Sequence, residues 1–287
     1  MSGKIVDKLI ILFLIFIAIW SIIPFTWSVV SSLKTREYIM KHPLSWIPKP
    51  LAFDNYVKIT TKFRIGRDFV NSLIYAGGTA LIAMLLCPMA GYALAKKKFK
   101  GRNILFIFVL SLMMIPHQVT MIPNFLILKF FPLVGGNNIL GQGGTGLLDT
   151  YWGLILPKAV QPLFIFLARQ FFLSLPTSLI EAARIDGASE FKIYWDIALP
   201  LAKPAVTAIG IFAFQWSWND FIWPLIVTRS PEMETIQIGL QVFNDEFGDL
   251  WNLLMAATNV AILPMLIIFI IFQKHFFKGV SFMGSYR

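Results

Sequence analysis

Six stretches of about twenty mostly apolar residues punctuate the chain, at 9–30, 69–94, 104–128, 151–172, 204–227 and 252–272. An α-helix rises about 1.5 Å per residue and a hydrocarbon core is about 30 Å thick, so each stretch is long enough to cross a bilayer. No water inside that core can satisfy a peptide group, which leaves the helix as the form such runs can take. The expected fold is therefore all-α, a polytopic membrane protein with six transmembrane helices. Composition agrees: 57% of the 287 residues are hydrophobic and 14% are charged, against about 25% charged in an average soluble domain. The first run follows Lys4 and Lys8 as a signal peptide would. It exceeds the roughly 7–15 residues of a signal h-region and no small-residue cleavage site follows, so it reads as the first spanning helix. The single cysteine, Cys87, lies beside Pro88 in an apolar run and reads as a small buried hydrophobe.

A formal charge of +10 in such a chain points to the anionic surface of a membrane as partner, and not to nucleic acid. Six crossings put both termini on one side. The densest basic cluster, "KKKFKGR" at 96–102, falls on that same side, which the positive-inside rule makes cytoplasmic. Residues 1–287 read as one transmembrane domain: a first helix and external loop to 68, a core at 69–273 and a cytoplasmic tail at 274–287. The loop at 31–68, with Pro43, Pro48, Pro50, Trp46, Phe53 and Tyr56, is expected to be an ordered external cap with little regular structure. A second external loop, "FPLVGGNNILGQGGTGLLDT", is glycine-rich and reads as flexible.

The third long connection, 174–203, is a polar island on the cytoplasmic side. Pro176 closes the preceding segment, and Ser178 with Glu181 has the spacing of a capping box, predicting a helix from about Leu179. Gly187 offers the left-handed conformation that ends helices, Ser189 can cap a second helix, and Pro200 is expected to stop it. The prediction is helix, bend, helix, held outside the bilayer. Ala182 and Ala183 present almost no side chain, which would let another surface approach the backbone closely. A docking surface has use for that arrangement.

"EAARIDGASEFKIYWDIALPLAKP" resembles the EAA loop of membrane permease subunits of binding-protein-dependent ATP-binding-cassette importers, and Glu181, Ala182, Ala183, Gly187, Ile197, Leu199 and Pro200 match its pattern. Asp186 lies within the same stretch. "NSLIYAGGTALIAMLLCPMAGYALAKKKFKGR", "MIPNFLIL", "DTYWGLILP", "FFLSLP" and "WNDFIWPL" resemble the carbohydrate-type branch, in particular its shorter, maltose-transporter-type permease; the likeness runs from about Asn71 to the C-terminus. The resemblance implies that the island is a coupling helix seated on an ATPase subunit, in a bacterial or archaeal cell membrane. It implies a second permease subunit, two ATPase subunits holding ATP and magnesium, and an external solute-binding protein that delivers a sugar or oligosaccharide. A phosphorylated polyol is the alternative cargo, and a secondary transporter or channel the alternative class. The tail "FQKHFFKGVSFMGSYR" is similar to permease tails that touch the ATPase pair, although its "GSYR" end departs from theirs.

The chain itself is expected to carry no cofactor and no catalytic or metal site. Gly136 and Gly141 have the glycine spacing of a P-loop, but Gln142 and Gly143 follow where Lys and Ser or Thr are required. Gly141, Gly143 and Gly146 spell G-x-G-x-x-G without a surrounding βαβ unit. No serine elbow or H-E-x-x-H occurs, His42, His117 and His275 lie in three separate regions, and Asp220 is the one plausible intramembrane acid, without the second aspartate that an intramembrane hydrolase would need. Ionisable and amide groups at membrane depth tend to face the bundle interior or a wet cavity. On that ground Lys158 and Gln161, flanked by Pro157 and Pro162, and Ser217, Asn219 and Asp220 are candidates for a substrate pathway. Trp216 and Trp218 add flat apolar faces of the kind sugars stack on. Against these stand a Lys158 that snorkels to the interface and tryptophans that serve as interfacial anchors. Asn259 reads as a hydrogen-bonding residue between helices.

Overall fold

The structure is a computed structural model that describes residues 2–245 and 250–284, and among the described residues there are helices and loops but no strand. In chain order the helices are α1 (Ser2–Ser32), α2 (Arg36–Lys41), α3 (Asp54–Thr61), α4 (Ile65–Lys96), α5 (Arg102–Leu112), α6 (His117–Lys129), α7 (Tyr151–Ala159) and α8 (Pro162–Ser174). There follow α9 (Thr177–Ile185), α10 (Glu190–Lys192), a π-helical turn (Ile193–Ala198), α11 (Leu199–Leu201), α12 (Lys203–Trp218), α13 (Ile222–Val227), α14 (Ile236–Asp245) and α15 (Trp251–Gly284).

Among the described residues three helices are long and apolar enough to cross a membrane unbroken: Val6–Ser32, Ile65–Lys96 and Trp251–Gln273. The other candidate crossings are bent pairs, Arg102–Leu112 with His117–Lys129 at 103°, Tyr151–Ala159 with Pro162–Ser174 at 45°, and Glu190–Leu201 with Lys203–Trp218 at 77°. The apolar runs at 104–128, 151–172 and 204–227 are thus interrupted. Proline accounts for the first two breaks. Before Pro116 the α5 helix tightens into three-residue turns, with Met113 N–H on the Leu110 carbonyl at 3.0 Å and Met114 N–H on Ser111 at 3.1 Å, and Pro116 brings no N–H to continue the ladder. Pro162 is the first residue of α8 and likewise leaves a carbonyl of α7 without its donor. The third run is cut at 219–221, and α12 is preceded by the Glu190–Leu201 segment across a bend at Ala202.

The chain divides into two compact units. One comprises residues 1–67 and 238–264. Here the large side chains of α1, among them Leu9, Phe13, Phe16 and Trp20, point outward as on a lipid-facing span. The carbonyls that close its C-terminal end have no helical donor, and buried Asn55 of α3 supplies one, its Nδ2 donating to Ser32 O at 2.7 Å and Lys34 O at 2.9 Å. Asn252 Nδ2 in turn donates to Asn55 Oδ1 at 2.9 Å, and Ser28 Oγ donates to Asn259 Oδ1 at 2.8 Å, the interhelical role expected of Asn259. The 31–68 segment holds two short helices, α2 and α3, and is more regular than its prolines suggest.

The second unit comprises 68–237 and 265–287. Its core packs Cys87, Tyr92, Phe164, Phe172, Ile193, Tyr194 and Ile209 together. Cys87 is fully buried, as expected, with its Sγ 3.8 Å from the Ala159 carbonyl oxygen. Helices α4 and α8 touch through their backbones: a Cβ on Gly91 would lie 2.5 Å from Ala168 Cβ and 2.8 Å from Arg169 N. Gly91→Val is expected to destabilise the protein by about 1–3 kcal/mol through overpacking. The check is the melting temperature in detergent, and an unchanged value would contradict the close approach.

The glycine-rich loop is folded, where flexibility was expected. Gly146 has φ +60° and a Cβ there would sit 2.1 Å from the Leu128 carbonyl oxygen, so the loop lies against the end of α6 as only glycine permits. Asn137 Nδ2 bridges the carbonyls of Lys129 and Phe131 at 2.8 and 2.9 Å, and its Oδ1 accepts from Gly144 N at 2.8 Å. Asp149 ties the loop down further, its Oδ1 accepting from Arg229 N at 2.9 Å and Ser230 N at 3.1 Å. The sixth spanning helix also departs from expectation. It runs on through the predicted tail to Gly284, and the last three residues of "GSYR" lie outside the described residues.

Candidate functional site: the polar island and the helix breaks

The island begins without the predicted capping box. Pro176, with φ −58° and ψ 126°, occupies the N-cap position and Thr177 is already helical, so Ser178 lies two residues past the cap. The end of α9 is as expected. Gly187 has φ +79°, Ala188 N–H bonds the Ala183 carbonyl at 3.0 Å and Gly187 N–H bonds Arg184 O at 3.0 Å, the paired bonds of a Schellman motif. Ser189 then caps the next helix by accepting from Lys192 N. That helix does not stop at Pro200. From Ile193 to Ala198 its bonds widen to π spacing, Leu199 N–H reaching the Tyr194 carbonyl, and the run continues to Leu201. A ladder already shifted in this way loses less to a residue without an N–H.

The island has two faces. Ile180, Ala183, Ile193, Tyr194 and Ala198 are buried in the unit's core, with Ile197 and Leu199 half-buried against it. Ala183 therefore serves internal packing, and a bulky residue there would act through the core. Outward lie Glu181, Ala182, Asp186 and Gly187, together with Ile185, 86% exposed, and Phe191, 69% exposed. Both are large apolar side chains presented among charged ones. The bend is braced by Glu190, whose Oε1 accepts from Arg184 Nε at 2.8 Å and whose Oε2 pairs with Lys97. Lys96 Nζ also donates to the Leu175 carbonyl at 2.6 Å. The basic run after α4 thus holds the island in place, a role that its charge density alone did not reveal.

A second cluster forms where the helices break. Lys158 Nζ lies 2.8 Å from Asp220 Oδ2, each side chain 14% exposed. Asp220 is therefore ion-paired with a base, and Lys158 is turned inward to it instead of snorkelling. Tyr75 OH donates to the same Oδ2 at 3.1 Å, Trp223 N–H donates to Oδ1 at 3.2 Å, and Lys158 Nζ lies within hydrogen-bond reach of His117 Nε2. Neither Tyr75 nor His117 stood out in the sequence. Tyr75 sits in the apolar run of α4, and the one signal for His117 was its position after Pro116.

The other candidates are placed separately. Gln161 serves its own helix break, its Nε2 donating to the carbonyls of Pro157 at 3.3 Å and Lys158 at 3.2 Å, the second of which would have needed an N–H from Pro162. Ser217 is buried and Asn219 exposed. Trp218 is buried, in a T-shaped contact with Phe69 and stacked on Phe214, which makes it core and not a sugar platform. Trp216 is exposed and stacks on Phe164 with ring centres 5.2 Å apart. Among the described residues no three His, Cys, Asp or Glu side chains gather as a metal site would require.

Residues 88–282, which contain the whole island and the charged pair, match the family described as "Binding-protein-dependent transport system inner membrane component". The chain belongs to this family. As a member it is 38% identical over 276 residues to the arabinooligosaccharides transport system permease protein AraQ of Bacillus subtilis, an alignment covering 95% of this permease and 93% of that one. It is 31% identical over 265 residues to the sn-glycerol-3-phosphate transport system permease protein UgpE of Brucella abortus, covering 89% of each. Its fold is similar to a chain in the crystal structure of a bacterial ABC transporter involved in the import of the acidic polysaccharide alginate, with a TM-score of 0.81, 24% identity and coverage of 96% of this permease and 98% of that chain. The island and the breaks thus belong to a membrane-spanning subunit of an ABC transporter.

Proposed function

We propose that this permease passes a neutral sugar or oligosaccharide across the cell membrane, driven by ATP hydrolysis on partner subunits. In this reading it pairs with a second permease, and its 174–203 island docks on one of two ATPase subunits, which hold the ATP and magnesium. An external solute-binding protein delivers the cargo, and both termini face the cytoplasm. The observation that carries the coupling role is the outward apolar face of Ile185 and Phe191 on a bend braced by Glu190. The relative that transports arabino-oligosaccharides supports a saccharide cargo.

A phosphorylated polyol is the second reading, and the glycerol-phosphate relative favours it. The charge balance inside this chain weighs the other way. A lone Lys158 would suit an anionic cargo, but Asp220 at 2.8 Å already neutralises it. Calorimetric titration of the cognate solute-binding protein with neutral oligosaccharides, uronates and glycerol phosphates is the test. Tight binding of a neutral oligosaccharide is expected; tight binding of a sugar or polyol phosphate alone would replace the cargo assignment and leave the coupling surface untouched.

A further inference from the structure

Three helix interruptions meet at one group of side chains. His117 opens α6 directly after Pro116, Lys158 is the penultimate residue of α7, and Asp220 lies between α12 and α13. Tyr75, fully buried in the uninterrupted α4, is the fourth member. The chemistry of the contacts assigns roles. An ammonium group has donors and no acceptor, so the approach of Lys158 Nζ to His117 Nε2 is a hydrogen bond only when Nε2 carries a lone pair. The ring is then neutral with its proton on Nδ1, the nitrogen 3.5 Å from Thr120 Oγ1, while that hydroxyl donates to the His117 carbonyl at 2.9 Å and keeps its lone pairs free. On the other side the Asp220 carboxylate accepts from Lys158, from Tyr75 OH at 3.1 Å and from Trp223 N–H at 3.2 Å. Besides its partner, the ammonium is held by one neutral group, the His117 ring, and the carboxylate by two, the Tyr75 hydroxyl and the Trp223 N–H.

We infer that His117 and Tyr75 are positioning residues for transport: they hold Lys158 against Asp220 so that the breaks before α6, after α7 and before α13 move as one unit. A helix end freed from its ladder is soft, and three soft ends tied through one charged pair can turn together. The transport consequence rests on the import reading given above; the ring state of His117 does not.

The test therefore has two arms. In the full chain, labelled with 15N-histidine and held in lipid nanodiscs, the His117 ring should show the signature of a neutral imidazole protonated on Nδ1, and Lys158→Met should shift the Nε2 resonance. In the reconstituted transporter, His117→Leu should lower saccharide uptake about tenfold or more at unchanged membrane level, as expected for losing a hydrogen bond to a charged group. His117→Gln, whose amide oxygen can accept from Lys158, should restore most of it, and Tyr75→Phe should cost several-fold. A His117 imidazolium at neutral pH, a ring protonated on Nε2, or wild-type uptake by His117→Leu would overturn the proposal. If the wild-type transporter moves no saccharide, the import reading and the transport consequence fall with it, and the nitrogen spectra of the wild-type and Lys158→Met chains still decide the ring state of His117 and its contact with Lys158.

Discussion

Replacing Ile185 by Asp is expected to leave the protein folded and in the membrane while transport falls roughly a hundredfold. Ile185 is 86% exposed, and surface substitutions away from special features usually change stability by about 0.5 kcal/mol or less. In the proposed complex the same side chain is covered by an ATPase subunit. Burying an isoleucine contributes about 1.5–3 kcal/mol, and an aspartate in its place would also desolvate an unpaired carboxylate. At about 1.4 kcal/mol per factor of ten, losing the burial alone weakens docking by one to two orders of magnitude. The measurement is uptake in proteoliposomes beside co-purification of the ATPase subunits. Wild-type uptake with Ile185→Asp would remove the coupling face. Gly187→Pro is a harsher version: proline holds φ near −65° where the bend requires +79°, and it deletes the N–H that bonds Arg184 O.

The second large effect is an asymmetry at the helix breaks. Lys158→Met leaves the Asp220 carboxylate with Tyr75 and a backbone N–H as its partners, and Asp220→Leu leaves the ammonium facing His117. Removing one partner of a buried pair costs about 3–5 kcal/mol, whereas replacing both by apolar residues of similar volume is often neutral. Each single variant is therefore expected to melt well below the wild type, and the double variant Lys158→Met/Asp220→Leu above either single one. A double-mutant cycle read by thermal denaturation in detergent checks this. Additive losses would mean that the 2.8 Å contact carries no coupling.

What could be read along the chain was what neighbouring residues decide among themselves. Apolar run length specified a membrane protein of helices, Gly187 specified a left-handed helix end, and Ser189 specified the next helix start. Each is a property of a few consecutive residues and the water or lipid around them. Local rules erred where a competing local feature won. Pro176 took the cap position from Ser178, and the π turn before Pro200 let the helix pass a residue expected to end it. The breaks inside three apolar runs had visible prolines as their signal at two places, while run length by itself carries no record of a bend.

The rest depended on residues distant in sequence. Which side of the island faces outward is decided by what α4 and α8 leave uncovered, and that packing turned Ala183 inward and Ile185 outward. The same holds for the glycine-rich loop, whose shape comes from its fit against the end of α6. The Lys158–Asp220 pair joins groups 62 positions apart, and its partners Tyr75 and His117 come from two further helices. The amino-acid sequence by itself determined the helices, the membrane and the bend. The tertiary structure alone decided which charges meet and which face is free, because a contact between distant residues depends on three-dimensional packing that no local pattern contains.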